Sequence, residues 1–190
     1  MPEAIDLLTS RRSVKPIELN GPGPTAAELA TLLTVASRVP DHGKLTPWRF
    51  IVFDGDARLK AGDTIAAVFR DNRPDATPDQ VEHERRRLAR APLVIAVVSR
   101  AGPHVKIPEW EQVLSAGAAA TSLVFAAHAL GFAASWLTEW YSYDRRVLDA
   151  IGVAPNEKIA GFVHLGRQAK AIEDRPRPPL DQIVTRFGAN

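Results

Sequence analysis

From Val113 to Leu137 the chain runs 25 residues without a formal charge, His128 counted as neutral. Such a run either crosses a bilayer or fills the middle of a fold. Its make-up decides between the two. Ala and Gly dominate it, Ser115, Thr121, Ser122, His128 and Ser135 are spread through it, and Gly131 divides it into a helix-like part and a strand-like part. A buried helix followed by a buried strand is therefore expected, and no membrane span. The helix, from about Trp110 to Leu130, places Val113, Gly117, Ala120, Val124 and Ala127 on one face, while Ala116, Ala119, Leu123 and Leu130 widen the stripe nearly all round. Small residues on every side let another backbone approach closely, so this helix is central or sits in a subunit interface.

A length of 190 residues suits one domain, 1–190, and lets a chain bury roughly 70% of the surface it would expose unfolded. With 45% apolar and 24% charged residues, intrinsic disorder is excluded. Lys and Arg exceed Asp and Glu by only 2 charges, so no global field draws the protein onto nucleic acid or anionic lipid. The absence of cysteine removes disulfides, thiolate zinc sites and cysteine nucleophiles, and the cytoplasm is the expected compartment. Met1 to Arg12 carries Glu3 and Asp6 among its apolar residues and reads as a helix and not as a signal peptide.

Elsewhere the pattern is mixed. A short helix ends at Ser10, and Thr25 with Glu28 forms a capping box opening a helix to about Arg38. Strands are expected at Trp48–Phe53, Leu93–Val98, Phe132–Leu137 and Lys158–Leu165, with Leu93–Val98 mid-sheet because it is apolar throughout. Helices are expected at Ala57–Phe69, Asp79–Arg90 and Asp144–Ile151. The charges from Glu82 to Arg87 fall at helical spacings and read as a solvated face more readily than as a nucleic-acid patch. Pro176, Pro178 and Pro179 precede a terminal arm, Leu180–Phe187.

No glycine-rich phosphate loop, nucleophile turn or metal-spaced histidine pair is present, so neither a catalytic side-chain nucleophile nor a metal is expected. His128 and His164 sit in apolar surroundings and read as satisfied core histidines. What remains are cations in loops: Arg11, Arg12, Lys15, Arg38, Lys44, Arg167, Arg175 and Arg177. Arg11-Arg12-Ser13 could grip a phosphate with two guanidinium forks and a hydroxyl, or could be an ordinary soluble turn. The segment from Arg38 through Pro40, Asp41 and His42 to Pro47 and Trp48 suits a flat heterocycle with a polar edge, or is a loop whose Trp48 anchors the core.

Five motifs, in order along nearly the whole chain, resemble the flavin-dependent nitroreductase family, and most closely its short members. They are Ser10-Arg11-Arg12-Ser13-Val14-Lys15; Val39-Pro40-Asp41-His42 with Thr46-Pro47-Trp48-Arg49-Phe50; Trp110-Glu111-Gln112; Gly131-Phe132 leading to Trp136; and Gly161-Phe162-Val163-His164-Leu165-Gly166. The resemblance implies an α+β fold, an α/β/α sandwich whose central, mostly antiparallel sheet is flanked by helices. It also implies a homodimer that exchanges C-terminal arms in a domain swap, with FMN at the dimer interface. By position, Arg11, Arg12 and Ser13 look like the phosphate and ribityl end of the FMN site, and Arg38 and His42 like further cofactor contacts. Trp136, Leu137 and Thr138 match the segment that runs along the flavin, and Arg177 resembles a phosphate ligand. Lys44 and Thr46 stand where larger members often carry Asn and Gln.

The function implied is an FMN oxidoreductase that takes a hydride from NADPH or NADH and passes electrons to a small acceptor such as a nitroaromatic or quinone, in ping-pong turnover. The alternative is a protein that holds FMN or another phosphate-bearing ligand without turnover.

Overall fold

The computed structural model describes residues 3–168 and 170–188. Five strands form an antiparallel sheet: β1 (Leu19–Asn20), β2 (Trp48–Phe53), β3 (Leu93–Ser99), β4 (Ala133–Leu137) and β5 (Lys158–Gln168). β3 lies between β2 and β5, β4 pairs with the other edge of β5, and β1 pairs with the last residues of β5. As the apolar run predicted, β3 is buried throughout.

Helices cover both faces because β3 and β5 present apolar side chains to both. On one side Leu93, Ile95, Val97, Val163 and Leu165 pack under α2 (Ala26–Ala36) and α5 (Glu109–Ala129). On the other, Val94, Ala96, Val98 and Phe162 pack under α3 (Ala57–Asn72) and α6 (Arg145–Ala150). The capping box at Thr25 is formed: Glu28 N donates to Thr25 Oγ1, and Thr25 N donates to the Glu28 carboxylate. The remaining helices are α1 (Ala4–Ser10), α4 (Pro78–Arg85) and α7 (Leu180–Ile183).

Three expectations change. The charged helix is shorter than 79–90: α4 ends at Arg85, and a single 3₁₀ turn covers Leu88–Arg90. Its charges are not all solvated either, because Glu84, Arg87 and Arg90 turn inward to one another's partners. The face of α5 assigned by spacing also rotates. Ala120, Val124 and Ala127 lie in this chain's own core, whereas Trp110, Val113 and Leu114 point outward at 68%, 40% and 53% exposure. α5 is long and apolar enough to cross a membrane by length and composition, but half of its most apolar window is buried in this fold. β1 had no sequence signal, being two residues paired with the end of β5.

Beyond β5, Ile172 packs against Val14, Leu19 and Ala133, and the rest of the tail extends away with Leu180, Ile183, Val184 and Phe187 exposed.

Candidate functional site

α1 stops because Arg11 leaves the helical region at φ −58°, ψ 143°, its N–H still donating to Leu7 O. The chain then lies against β4: Ser13 bridges Ala134, and Val14 N donates to Ala134 O at 3.1 Å. Buried Val14 and the tail's Ile172 share one small cluster, which draws the two ends of the chain together. As a result Arg11, Arg12, Ser13, Arg175 and Arg177 surround an open cavity of about 330 Å³. Arg12 donates to Glu173 O and, with Arg177, to Oδ1 of Asp174, each nitrogen 3.2 Å from that oxygen. The Arg175 N–H, then Arg177 and Arg12, hold the Asp174 carboxyl below its ordinary range. Guanidinium forks and one hydroxyl converging on a pocket suit a phosphate dianion, so the donor set fits the phosphate end of FMN. Arg167 does not join it: it stacks on Phe132 at 3.8 Å and donates to Gly131 O.

Trp136, Leu137 and Thr138 follow directly along and beyond β4, on the same strand that receives Ser13. The Trp136 indole crosses Gly161, where a Cβ would come within 1.8 Å of Nε1, and donates to Ala160 O at 3.0 Å. Glu139 is then clamped: Arg87 donates to it at 2.8 Å, Tyr141 Oη at 2.8 Å, and Arg90 closes the set. Glu84 accepts from Arg87 and from Trp140 Nε1 at 2.7 Å. Burial pushes Glu139 and Glu84 upward, and the donors around each outweigh it, so both carboxyls lie below their ordinary range. This network anchors the end of the Trp136 segment. Sequence reading missed it because an i, i+3 charge pair looks alike whether it faces water or a core.

Arg38 and His42 lie in the loop from α2 to β2. The Asp41 carboxylate accepts from Leu45 N and Thr46 N, and Lys44 and Thr46 are held at φ 57° and 49°, a region non-glycine residues rarely occupy. Gly43, at φ 73°, meets Ile107 so closely that a Cβ would overlap its Cδ1. Ser115 on α5 accepts from Trp48 Nε1 and donates to Pro40 O at 2.6 Å, so Trp48 anchors the core and the loop is tied down as well. His42 Nδ1 lies 2.7 Å from the Glu111 carboxylate. Arg38 is exposed and makes no side-chain hydrogen bond among the described residues.

The candidate residues thus form two groups at opposite ends of α5. Arg11 lies over Phe125, whereas His42 reaches Glu111, and between those two residues the helix rises about 21 Å at ~1.5 Å per residue. Within one chain the groups do not meet.

The two histidines of the apolar segments are less evenly satisfied than expected. His164 is fully buried and pairs through Nε2 with Arg87 O at 3.3 Å, but Nδ1 lacks a partner among the described residues. Burial lowers it to about 4. His128 is lowered first by burial and then by Arg11, and its Nε2 lacks a partner among the described residues.

Residues 8–167 match the family model described as the nitroreductase family. The chain is 35% identical over 188 residues to YdjA of Escherichia coli K12, provisionally designated an NAD(P)H nitroreductase, covering 97% of this chain and 100% of that protein. Among solved structures it is similar to a nitroreductase-like family protein from Bacillus cereus, with a TM-score of 0.83 and 21% identity over 100% of this chain and 98% of that one. It is also similar to a variant of NfnB from Sphigopyxis sp. strain HMH, described as FMN- and NADPH-dependent, with a TM-score of 0.78 and 19% identity over 99% and 100% of the chains.

Proposed function

The chain belongs to the nitroreductase family, and from that premise we propose that it is an FMN-dependent NAD(P)H oxidoreductase working as a homodimer on small electron acceptors. The observation that carries the reading is the open pocket of Arg11, Arg12, Ser13, Arg175 and Arg177, which gathers four arginines and a hydroxyl beside the strand that carries Trp136. These residues would hold the phosphate. Trp136, Leu137 and Thr138 would line the ring system, kept in place by the Glu139 clamp.

The separation along α5 supports a shared site. If two copies pack their α5 outer faces antiparallel about a two-fold axis, the Arg11 end of one meets the His42 end of the other. Trp110, Val113 and Leu114, with Gly117 and Ala118 one turn further on, give that face the apolar and small side chains such packing needs. The exposed apolar residues of the tail would then lie on the second copy, exchanging arms.

When bound, FMN supplies the redox chemistry, taking a hydride from NADPH or NADH and releasing electrons to a nitroaromatic or quinone. The protein's part is placement: arginines neutralise the phosphate, and cations and N–H donors near the ring stabilise the negative charge that develops on reduction. Donor and acceptor would use the same site in turn, which is ping-pong turnover.

The test is anaerobic mixing of purified protein with NADPH and with NADH. The protein should be yellow, release FMN and not FAD on acid treatment, and lose its flavin colour at a catalytically useful rate. Bound flavin that is not bleached would favour a binding protein without turnover, and a colourless protein that FMN cannot reconstitute would remove the reading.

A further inference from the structure

We propose that His42 and Glu111 form the proton relay of acceptor reduction, His42 Nε2 being the donor and Glu111 the positioning residue. The inference rests on the functional reading above. Reduction of a quinone consumes one hydride and one proton: the hydride adds to the quinone and a proton neutralises the oxygen anion, giving the hydroquinone. NAD(P)H supplies the hydride and leaves the proton to another group.

Several features make this pair suited to supply it. The Glu111 carboxylate, 2.7 Å from Nδ1, accepts the Nδ1–H and so selects the tautomer in which Nε2 carries the lone pair. Nε2 has no protein partner among the described residues. The carboxylate also stabilises the imidazolium once Nε2 is protonated, as the acid does in a His–carboxylate pair of a hydrolase. In the single chain the His42 side chain is 64% exposed, so its Nε2 is open to the shared site and not taken up by this chain's own core.

The setting is rigid at some expense in backbone strain. Asp41 spends its carboxylate on the N–H groups of Leu45 and Thr46, Ser115 holds Pro40, and Lys44 and Thr46 stay at positive φ. Strain kept in a loop that is tied at both ends is a common mark of a residue being aimed. Charged residues on the His42 loop are Arg38, Asp41 and Lys44, and α5 brings Glu111; Asp41 and Glu111 line the small pocket at the ring, and among the described residues only Glu111 bonds to it. Beside the pair runs a groove of about 280 Å³, walled by Pro40, Leu114 and Ala118 on the α5 face that the functional reading gives to the second copy, so the pair borders the shared site in which an acceptor would lie.

The experiment compares the holoenzyme with Glu111→Gln, Glu111→Ala and Glu109→Gln. Glu109 lies in the same first turn of α5, so its substitution removes the same charge from the helix end without involving His42. Stopped-flow mixing under anaerobic conditions separates flavin bleaching by NADPH from reoxidation by 1,4-benzoquinone, and ¹⁵N NMR of the apo-protein reads the His42 tautomer. The wild type should show the Nδ1–H tautomer. Glu111→Ala should lose that preference and slow reoxidation about tenfold or more, a part of the ~10²–10⁴-fold that a positioned acid contributes. Glu111→Gln, which can still accept from Nδ1–H but carries no charge, should keep the tautomer and still slow reoxidation, and Glu109→Gln should stay within about twofold of wild type in both readouts. Reoxidation within twofold of wild type in both Glu111 variants, or an unaltered tautomer in Glu111→Ala, overturns the relay. Failure of NADPH to bleach the wild-type flavin overturns the functional reading itself, and the relay with it.

Discussion

Arg49 on β2 and Glu157, just before β5, meet in two parallel hydrogen bonds, Nε to Oε1 at 2.8 Å and Nη2 to Oε2 at 2.6 Å. Arg100 adds a third donor at 3.2 Å and Ala154 N a fourth at 2.8 Å, so a carboxylate only 7% exposed is fully engaged. The Arg49 fork, helped by Ala154 N and Arg100, lowers Glu157 to about 2. Glu157→Gln should cost about 2–4 kcal/mol, since it leaves a half-buried guanidinium without its anion. Because the folded pKa is depressed, this stabilisation is fully present above the unfolded value near 4.5 and is lost as pH falls toward 2. The difference between wild type and variant in urea melts should narrow steadily from pH 7 to pH 3. Parallel curves would contradict the pairing.

Arg11→Ala should weaken FMN binding far more than it weakens folding. Arg11 caps a short exposed helix, where few apolar contacts can be lost, and a charge-assisted hydrogen bond is worth about 1.5–3 kcal/mol, roughly 10-fold to 150-fold in Kd. Lysine should rescue only part, because it keeps the charge and loses the planar fork. Flavin titration of the apo-proteins beside their thermal melts measures both effects, and equal Kd values across the three would take Arg11 out of the site.

Gly117→Arg should separate assembly from folding. A Cβ at Gly117 meets nothing within 4 Å in the chain, so a side chain can start there without a clash, and replacing glycine raises helix propensity by about 0.5–1 kcal/mol. On the outer face of α5 it would hold two copies apart. Sedimentation should find a soluble monomer with little flavin, and a dimer at full occupancy would refute the shared site. Val124→Glu, by contrast, strikes this chain's own core and should unfold or aggregate it.

Gly161→Ala should displace the Trp136 indole, since the new methyl would occupy the position of Nε1. At 39% exposure the ring can swing outward at the cost of its bond to Ala160 O. A red-shifted tryptophan emission and a loss of about 1 kcal/mol in FMN binding, roughly fivefold in Kd, are expected. Unaltered emission would mean the sheet and not the indole has yielded.

The sequence by itself determined the elements whose signals are local. The Thr25 capping box, the apolar run of β3 and the uncharged segment broken at Gly131 each place a helix or strand, because capping, burial on both faces and left-handed turns depend on residues close together in the chain. The arginine pair at Arg11 and the loop at His42 were also visible as chemistry. Tertiary structure alone decided how they combine. Only the fold brings Arg175 and Arg177 to Arg12, sets His42 on Glu111, and turns Arg87 and Arg90 from a charged helix face into the clamp on Glu139, with Glu84 bracing Arg87. Only the fold, too, rotates α5 so that Val124 is core and Leu114 is surface. The physical reason is that helical periodicity fixes which residues share a face but not which way that face points. On a helix apolar nearly all round, that direction is set by the sheet it packs against.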